Sequence, residues 1–341
     1  MVMGIYGIGA IFGSLTGGRF TDKIGFYKVQ IFTLVFGGLT FIILGQLKSY
    51  YAICICMFVL AFINEAFRPA NSAAIARFST EENRIRSFSL VRLSFNLGWA
   101  IGGGLAGLIA SYSYQFLFWI DGVTNILAAI LLWKLLPFSA GTKLTARTKD
   151  IPENNSAYTD KTFLLFIGIS IIYVSCFFQL FSNLTAYFKN ELHFSERVIG
   201  LLLSWNGMLI VLIEMALIFW IEKNWTKKKS ITIGVLLHVV AYLIILIFKV
   251  NMGIAFLMMT FITLSEMFAF SVMVSFWMER ANENNQGQYA GIWTMSWAIS
   301  QSIGPFLGSV AAQYFGFNYL WMIVAMLSGL AAFLYSRLIK N

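Results

Sequence analysis

Eleven long apolar runs set what this chain can fold into. Each approaches the ~20 residues that a helix needs to cross a bilayer, and short polar stretches separate them. The runs cover residues 3–20, 29–47, 51–76, 87–111, 115–136, 162–187, 197–221, 230–248, 252–277, 288–313 and 317–336. Only 11% of the 341 residues are charged, against about 25% in a soluble domain. The sequence therefore predicts an all-α, polytopic membrane protein.

The basic residues predict the orientation of these spans. If the connection between the first two runs is cytoplasmic, eighteen of the 24 lysines and arginines lie on the cytoplasmic side and four on the opposite side. The other two, Arg68 and Arg92, lie within apolar runs. This asymmetry follows the positive-inside rule and places the C-terminus in the cytoplasm. Because these loops account for the net charge of +9, that charge does not indicate nucleic-acid binding.

The connection between the first two runs carries a motif. Gly18 and Gly25 allow a tight turn, Asp22 and Lys23 lie where a helix end can be capped, and Lys28 follows. The pattern G-x-x-x-D-[RK]-x-G resembles the loop between helices 2 and 3 of the major facilitator superfamily of transporters, although phenylalanine follows Gly25 where the family usually has arginine. The resemblance implies two pseudo-symmetric helix bundles and a loop that latches the inward-closed state.

The second half of the chain repeats the first at a nearly constant offset. Asp22 corresponds to Glu222 at an offset of 200, and Glu65 corresponds to Glu266 at an offset of 201. A shared register across several helices indicates an internal repeat. The predicted organisation is an N-terminal bundle over residues 1–136, a polar cytoplasmic linker over 137–161 and a C-terminal bundle over 162–341.

The two predicted bundles differ in their number of spans. Five runs precede the linker and six follow it, whereas the family has six on each side. The resemblance implies that 11 of the usual 12 helices are present and that family helix 1 is missing. A truncated gene model or fragment is one interpretation, and a genuine eleven-helix protein is the other. A non-functional truncated fragment is the remote functional alternative.

Apart from Asp121, which lies near the outer end of its run, three carboxylates interrupt the apolar runs, namely Glu65, Glu214 and Glu266. An ionisable group inside a membrane span is costly and usually functional, so these are candidate proton-binding groups. Arg68 shares a helix face with Glu65 and is its candidate charge partner, and Arg92 is the second candidate cation. The structural alternative is a buried ion pair that only fixes helix packing.

Polar, aromatic and small residues recur at helical spacings in several runs. The candidate substrate-cavity residues are Asn96, Gln179, Asn183, Trp293, Trp297 and Gln301. Helix packing is the alternative for Trp293, Trp297 and Gln301, and capping of the cytoplasmic gate is the alternative for Asn96. The candidate packing residues are Gly98, Gly102, Gly103, Gly107, Gly304 and Pro305. Small residues four apart let helices approach closely. The run resembles the antiporter motif of family helix 5 at Gly98, Gly102 and Gly107, and it departs from that motif at Gly103, where the family has proline, and at Ala106.

Within the superfamily, the charged and glycine-rich runs are similar to those of bacterial drug:proton antiporters. The resemblance implies secondary active transport of small molecules by alternating access, through proton-coupled efflux across the bacterial inner membrane. Proton-coupled symport of a nutrient or peptide is the alternative. Neither G-x-x-x-x-G-K-[ST] nor H-E-x-x-H occurs in the sequence, so neither an ATP site nor a zinc protease is expected. We expect no enzyme activity, no metal, no cofactor beyond the proton gradient and no nucleic-acid partner, and a monomer in the lipid bilayer.

Overall fold

Helices account for nearly all of the chain that the structure describes. The computed structural model describes residues 2–80, 82–136, 156–282 and 285–339, and no strand occurs within them. The helices are α1 (Val2–Ile24), α2 (Phe26–Leu44), α3 (Tyr50–Phe78), α4 (Arg84–Tyr112), α5 (Tyr114–Leu135), α6 (Lys161–Phe177), α7 (Asn183–Asn190), α8 (Glu196–Asn224), α9 (Lys227–Ile247), α10 (Met252–Met278), α11 (Gln286–Phe315) and α12 (Phe317–Leu338). The predicted all-α class is confirmed.

The helices follow the predicted runs closely. No helix bound differs from its predicted run by more than four residues, and the run 162–187 comprises α6, a short 3-10 helix (Phe178–Phe181) and α7. In the described part of the chain, eight helical segments are long and apolar enough to cross a membrane. Helices α1, α4 and α11 are not among the eight, and each carries several glycines together with polar side chains.

The chain divides into two compact units. The first holds Met1–Thr80, Gly102–Leu164 and Met278–Ile299, and the second holds Glu81–Ile101, Leu165–Trp277 and Ser300–Asn341. Each unit therefore takes helices from before and after the predicted linker. The proposed bundle boundaries stay a prediction, and most of that linker, residues 137–155, lies outside the described residues.

In the first unit, α1 packs against α3 through small residues. Gly9, Gly13 and Gly17 recur every fourth residue along one face of α1. A Cβ atom added at Gly9 would lie 2.5 Å from the carbonyl oxygen of Phe58, and one at Gly17 would lie 2.5 Å from the Cα of Ala66. Only glycine permits this approach, which brings the two backbones into direct contact.

In the second unit, α9 packs against α12, and aromatic side chains fill the interior. Tyr173, Trp277 and Trp321 are fully buried. Large apolar side chains such as Phe306 and Leu212, each 66% exposed, cover the outside. Apolar groups on the outside of spanning helices are what a lipid surrounding favours.

Candidate functional site

The connection between α1 and α2 consists of a single residue, Gly25. Its φ of 89° lies in the left-handed region that glycine adopts without strain. Gly18 lies inside α1 rather than at the turn, so the tight turn expected of both glycines falls on Gly25 alone. Lys23 and Lys28 on either side of the turn are exposed.

Asp22, in the last turn of α1, caps the beginning of α11. One carboxylate oxygen accepts a hydrogen bond from the backbone N–H of Gly287 at 2.6 Å, and the other accepts from the N–H of Gln288 at 2.8 Å. The first amides of a helix have no partner within it and form the positive end of its dipole. A carboxylate satisfies both needs, and here it joins a helix of the first half to a helix of the second.

Glycines bring α1 and α11 together beside this cap. A Cβ atom added at Gly18 would collide with the carbonyl oxygen of Gly287, and a Cβ at Gly287 would collide with that of Gly18. One turn further on, a Cβ at Gly291 would lie 2.8 Å from the carbonyl oxygen of Ser14. We call this region, comprising Ser14, Gly18 and Asp22 of α1 with Gly287 and Gly291 of α11, the α1–α11 contact.

The segment before α6 lies against the same helices. The Nε of Arg19 donates to the hydroxyl of Tyr158 at 3.3 Å, and its guanidinium lies 5.2 Å from the ring centroid of Tyr158. Ser156 donates to the side-chain oxygen of Gln288 at 3.1 Å. Residues on both sides of the α1–α11 contact are thus tied to one short segment of chain.

Asp160 anchors that segment. Its carboxylate accepts two hydrogen bonds from Arg280, at 2.8 and 2.9 Å, one from the hydroxyl of Tyr289 at 2.9 Å and one from the N–H of Phe163 at 3.0 Å. Burial raises the pKa of the Asp160 carboxyl, but the hydrogen bonds together outweigh burial, so the pKa lies below its usual value. Asp160 went unnoticed in the sequence, although an aspartate just before an apolar run is a helix-capping signal.

In the second unit, three charged residues meet inside the helices. Arg92 of α4 donates from Nε to Glu214 of α8 at 2.9 Å, and its Nη1 donates to the backbone oxygen of Glu266 of α10 at 2.9 Å. The same Nη1 lies 3.8 Å from a carboxylate oxygen of Glu266. Glu214 is fully buried and Glu266 is 8% exposed. We call these three residues the charge triad.

Polar side chains around the charge triad complete its hydrogen bonding only in part. Asn206 donates to the Oε2 of Glu266 at 3.3 Å, and Ser271 donates to the Oε1 of Glu214 at 3.4 Å. Ser89 donates to Ser271 at 3.0 Å. Sequence reasoning singled out the three charged residues but not the contact among them, because Arg92 lies 122 residues from Glu214 and 174 from Glu266.

The third intramembrane carboxylate has a local partner. The Oε2 of Glu65 lies 2.9 Å from the Nε of Arg68, the pairing that their spacing on α3 predicts. The side chain of Arg68 is 50% exposed, whereas that of Glu65 is 11% exposed. The roles of Glu65 in proton binding and of Arg68 as its charge partner stay predictions.

Two of the predicted cavity residues bind the backbone of α11. The amide of Gln179 donates to the carbonyl oxygen of Gly304 at 2.8 Å, and that of Asn183 donates to the carbonyl oxygen of Pro305 at 3.0 Å. A Cβ at Gly304 would lie 2.8 Å from the carbonyl oxygen of Ser175, so α11 passes close to the backbone of α6 at this glycine. The substrate contacts of Gln179 and Asn183 stay predictions.

The remaining predicted residues lie on α4 and α11. Trp293 is buried, with its ring centroid 6.0 Å from that of the half-buried Trp297, while Gln301 is exposed. Asn96 donates to the backbone oxygen of Arg92 at 3.1 Å. No atom would lie within 4 Å of a Cβ added at Gly98. The surroundings of Gly102, Gly103 and Gly107 in α4 lie outside what the structure describes.

Long apolar helices, charges buried within them and contacts that join the two halves of the chain define a polytopic protein of the membrane-transporter class. The family model of the Major Facilitator Superfamily matches residues 1–305 and 165–341, and the chain belongs to that family. It is a transporter rather than an enzyme, it acts on small molecules and it lies in the lipid bilayer as a multi-pass protein.

Three similar proteins illustrate the range of the family. A "Na(+), Li(+), K(+)/H(+) antiporter" of Planococcus maritimus is 24% identical, over 98% of this chain and 86% of its own. "Multidrug resistance protein 2" of Bacillus subtilis is 23% identical, over 86% of this chain and 74% of its own. The structure of the Escherichia coli fucose:proton symporter superposes with a TM-score of 0.78 at 12% identity, covering 100% of this chain and 90% of its own. That last likeness bears on the fold alone.

Proposed function

We propose that this transporter exports small molecules across a bacterial inner membrane in exchange for protons, as a multidrug-type antiporter with its C-terminus in the cytoplasm. The observation that carries the proposal is the charge triad, in which one arginine faces two carboxylates. With all three groups ionised, the triad has one net negative charge inside the spanning helices. Such a charge is costly there, and one bound proton removes it.

A proton at the charge triad would also act on the contact between the two halves of the chain. Arg92 belongs to the first half, whereas Glu214 and Glu266 belong to the second. Protonation of either carboxylate weakens its attraction for Arg92 and therefore weakens the hold of α8 and α10 on α4. A ligand that binds one arrangement of helices better than another shifts the balance between them. Proton binding and alternating access are linked in this way.

The other predicted residues have subsidiary roles in this proposal. Glu65, with Arg68 as its charge partner, is a second proton-binding carboxylate. The Asp22 cap on α11 holds the cytoplasmic side closed, because it joins helices of both halves. The proposed substrate-cavity residues are Asn96, Gln179, Asn183, Trp293, Trp297 and Gln301. The protein acts as a monomer and needs no cofactor beyond the proton gradient.

The names of the similar proteins support exchange with protons without fixing the substrate. One relative is named as a cation/proton antiporter and another as a multidrug resistance protein. A proton symporter shares the fold, so uptake of a nutrient or peptide is the outcome to set against export. Only the direction of flux separates the two.

The test is transport by the full chain in liposomes loaded with a fluorescent cationic dye. In the unchanged protein, an imposed pH gradient should drive the dye across the membrane in the direction opposite to the protons. Glu266→Gln should abolish the dependence of dye transport on that gradient. Glu191→Gln, which removes an exposed charge outside the triad, is the control. Export by Glu266→Gln at the full pH-dependent rate would refute this role, and accumulation of dye together with protons would establish symport.

A further inference from the structure

The carboxylate pair of the charge triad is short of positive charge. Arg92 supplies one cation to Glu214 and Glu266, and it binds the two unequally. Its Nε and Nη2 lie 2.9 and 2.5 Å from Glu214, whereas its Nη1 lies 3.8 Å from the nearest carboxylate oxygen of Glu266. The carboxylate of Glu266 is therefore the more weakly neutralised of the two.

The other titratable groups near the pair belong to α6 and α9. The hydroxyl of Tyr173 lies 2.7 Å from that of Ser265, next to Glu266 in the chain. His238 packs edge-on against the ring of Tyr173, with centroids 5.5 Å apart, and its Nδ1 lies 3.0 Å from the hydroxyl of Ser328. Among the described residues, the phenol of Tyr173, the imidazole of His238 and the buried thiol of Cys176, also on α6, are the further titratable groups of this region, and the guanidinium of Arg92 is the permanent cation among them.

One oxygen of the pair has been left without a donor. The Oε2 of Glu214 is completely buried, and no described residue donates a hydrogen bond to it. A buried carboxylate oxygen without a hydrogen-bond donor is strongly unfavourable, because it has lost its hydration and no protein hydrogen bond replaces it. Among the described residues, Asn206 donates to the Oε2 of Glu266, at the long distance of 3.3 Å.

We infer that Glu214 and Glu266 bind one alkali-metal cation of the size of Na⁺ or Li⁺ in exchange for one proton. Carboxylate oxygens, together with the hydroxyl of Ser271 and the amide of Asn206, are the hard oxygen ligands that such ions take. A single positive charge balances the pair once Arg92 is counted. The inference deepens the proposed function, because it rests on proton exchange at these carboxylates and names a class of ion that competes for them.

Arg92 acts in this site as a tethered competitor. With the ion absent, the guanidinium binds the pair and holds α4 against α8 and α10. With the ion bound, the pair carries one net negative charge instead of two, and the attraction for Arg92 is weaker. Removal of the guanidinium should therefore strengthen ion binding, whereas a purely structural arginine would only destabilise the fold.

The experiment is equilibrium binding of radioactive Na⁺ to the purified full chain at alkaline pH, with choline chloride at equal ionic strength as the reference. We expect saturable binding of one ion, lost in Glu214→Gln and in Glu266→Gln and weakened as the pH falls, because protons compete for the same oxygens. Arg92→Gln should bind Na⁺ about tenfold more tightly or better, because a neighbouring positive charge is gone. Glu222→Gln, which breaks the ion pair of 2.8 Å with Arg86 at the end of α8, should bind like the unchanged protein.

A second measurement covers the case in which Arg92→Gln does not fold. Addition of Na⁺ to the unchanged protein in weak buffer should release protons, up to one for each ion bound, and choline should release none. Na⁺ binding that survives both glutamine substitutions, weaker binding in Arg92→Gln or equal responses to Na⁺ and choline would overturn the inference. If the unchanged protein exports dye but does not bind Na⁺, the ion site alone is refuted. If Glu266→Gln leaves pH-dependent dye export unchanged, the proposed function is refuted.

Discussion

The α1–α11 contact offers a substitution that should separate opening from unfolding. In Gly291→Ala, the new Cβ would lie 2.8 Å from the carbonyl oxygen of Ser14, whereas ordinary contact begins at 3.4 Å. Both atoms belong to helix backbones or lie directly on one, so neither can move aside alone, and α1 and α11 must separate. Overpacking of this kind costs about 1–3 kcal/mol.

The substitution destabilises only the conformation in which α1 and α11 are in contact. If the contact breaks during alternating access, the substitution shifts the balance toward the open arrangement by about 5–150-fold. The amides of Gly287 and Gln288, which donate to Asp22, report the opening directly. Hydrogen–deuterium exchange of the peptide that contains them should accelerate by a similar factor in Gly291→Ala.

A matched substitution on the other face of α1 provides the control. In Gly9→Ala, the new Cβ would lie 2.5 Å from the carbonyl oxygen of Phe58, so the overlap is at least as severe. Both helices of this second contact, α1 and α3, belong to the first half of the chain. Gly9→Ala should therefore lower the Tm and leave exchange at Gly287 and Gln288 close to normal. Equal acceleration by both variants, or none by Gly291→Ala, would refute the reasoning.

Three further predictions concern the same end of the molecule. Asp22→Asn should accelerate exchange of the first amides of α11, because charge-assisted hydrogen bonds contribute about 1.5–3 kcal/mol each, and an unchanged exchange rate would contradict the cap. Since the pKa of Asp160 is lowered on folding, its contacts with Arg280 and Tyr289 should be fully present above about pH 4 and lost as the pH falls through the folded pKa. A Tm measured against pH should show this loss in the unchanged protein and not in Asp160→Asn. Gly25→Ala should destabilise the fold by about 1–2 kcal/mol, since alanine resists the φ of 89°, and an unaltered Tm would contradict that strain.

The fold was predictable because its signal is local. A membrane span is recognised from about 20 consecutive residues, and the eleven predicted runs match the observed helices within four residues at every bound. The break in the span 162–187 could not be predicted in the same way. It falls at Phe178–Phe181, where Gln179 binds the backbone of α11 some 125 residues away, and hydropathy contains no information about that partner.

The candidate site was predictable only as a set of unusual residues. The position of Glu65, Glu214, Glu266 and Arg92 within apolar runs identifies them as charged groups that are unfavourable in a membrane. Their charge alone does not specify which of them are in contact. The spacing of Glu65 and Arg68 specifies their pair, because residues three apart share a helix face. The partners of Arg92 depend on how α4, α8 and α10 pack, and no short-range pattern specifies that packing.

Glu65 and Glu266 occupy equivalent positions in the predicted internal repeat, yet their surroundings differ. The difference bears on how proton binding could be coupled to helix movement. Arg68 is a neighbour of Glu65 on the same helix and is half exposed, so the pair can form or break without moving α3. Glu266 faces an arginine from another helix and from the other half of the chain. A proton or ion that alters the charge of Glu266 would therefore change the attraction for an arginine on another helix, whereas one that alters Glu65 would act first on an arginine of the same helix. Under the proposed function, Glu266 is therefore the carboxylate of the two whose loading would couple more directly to a movement of helices.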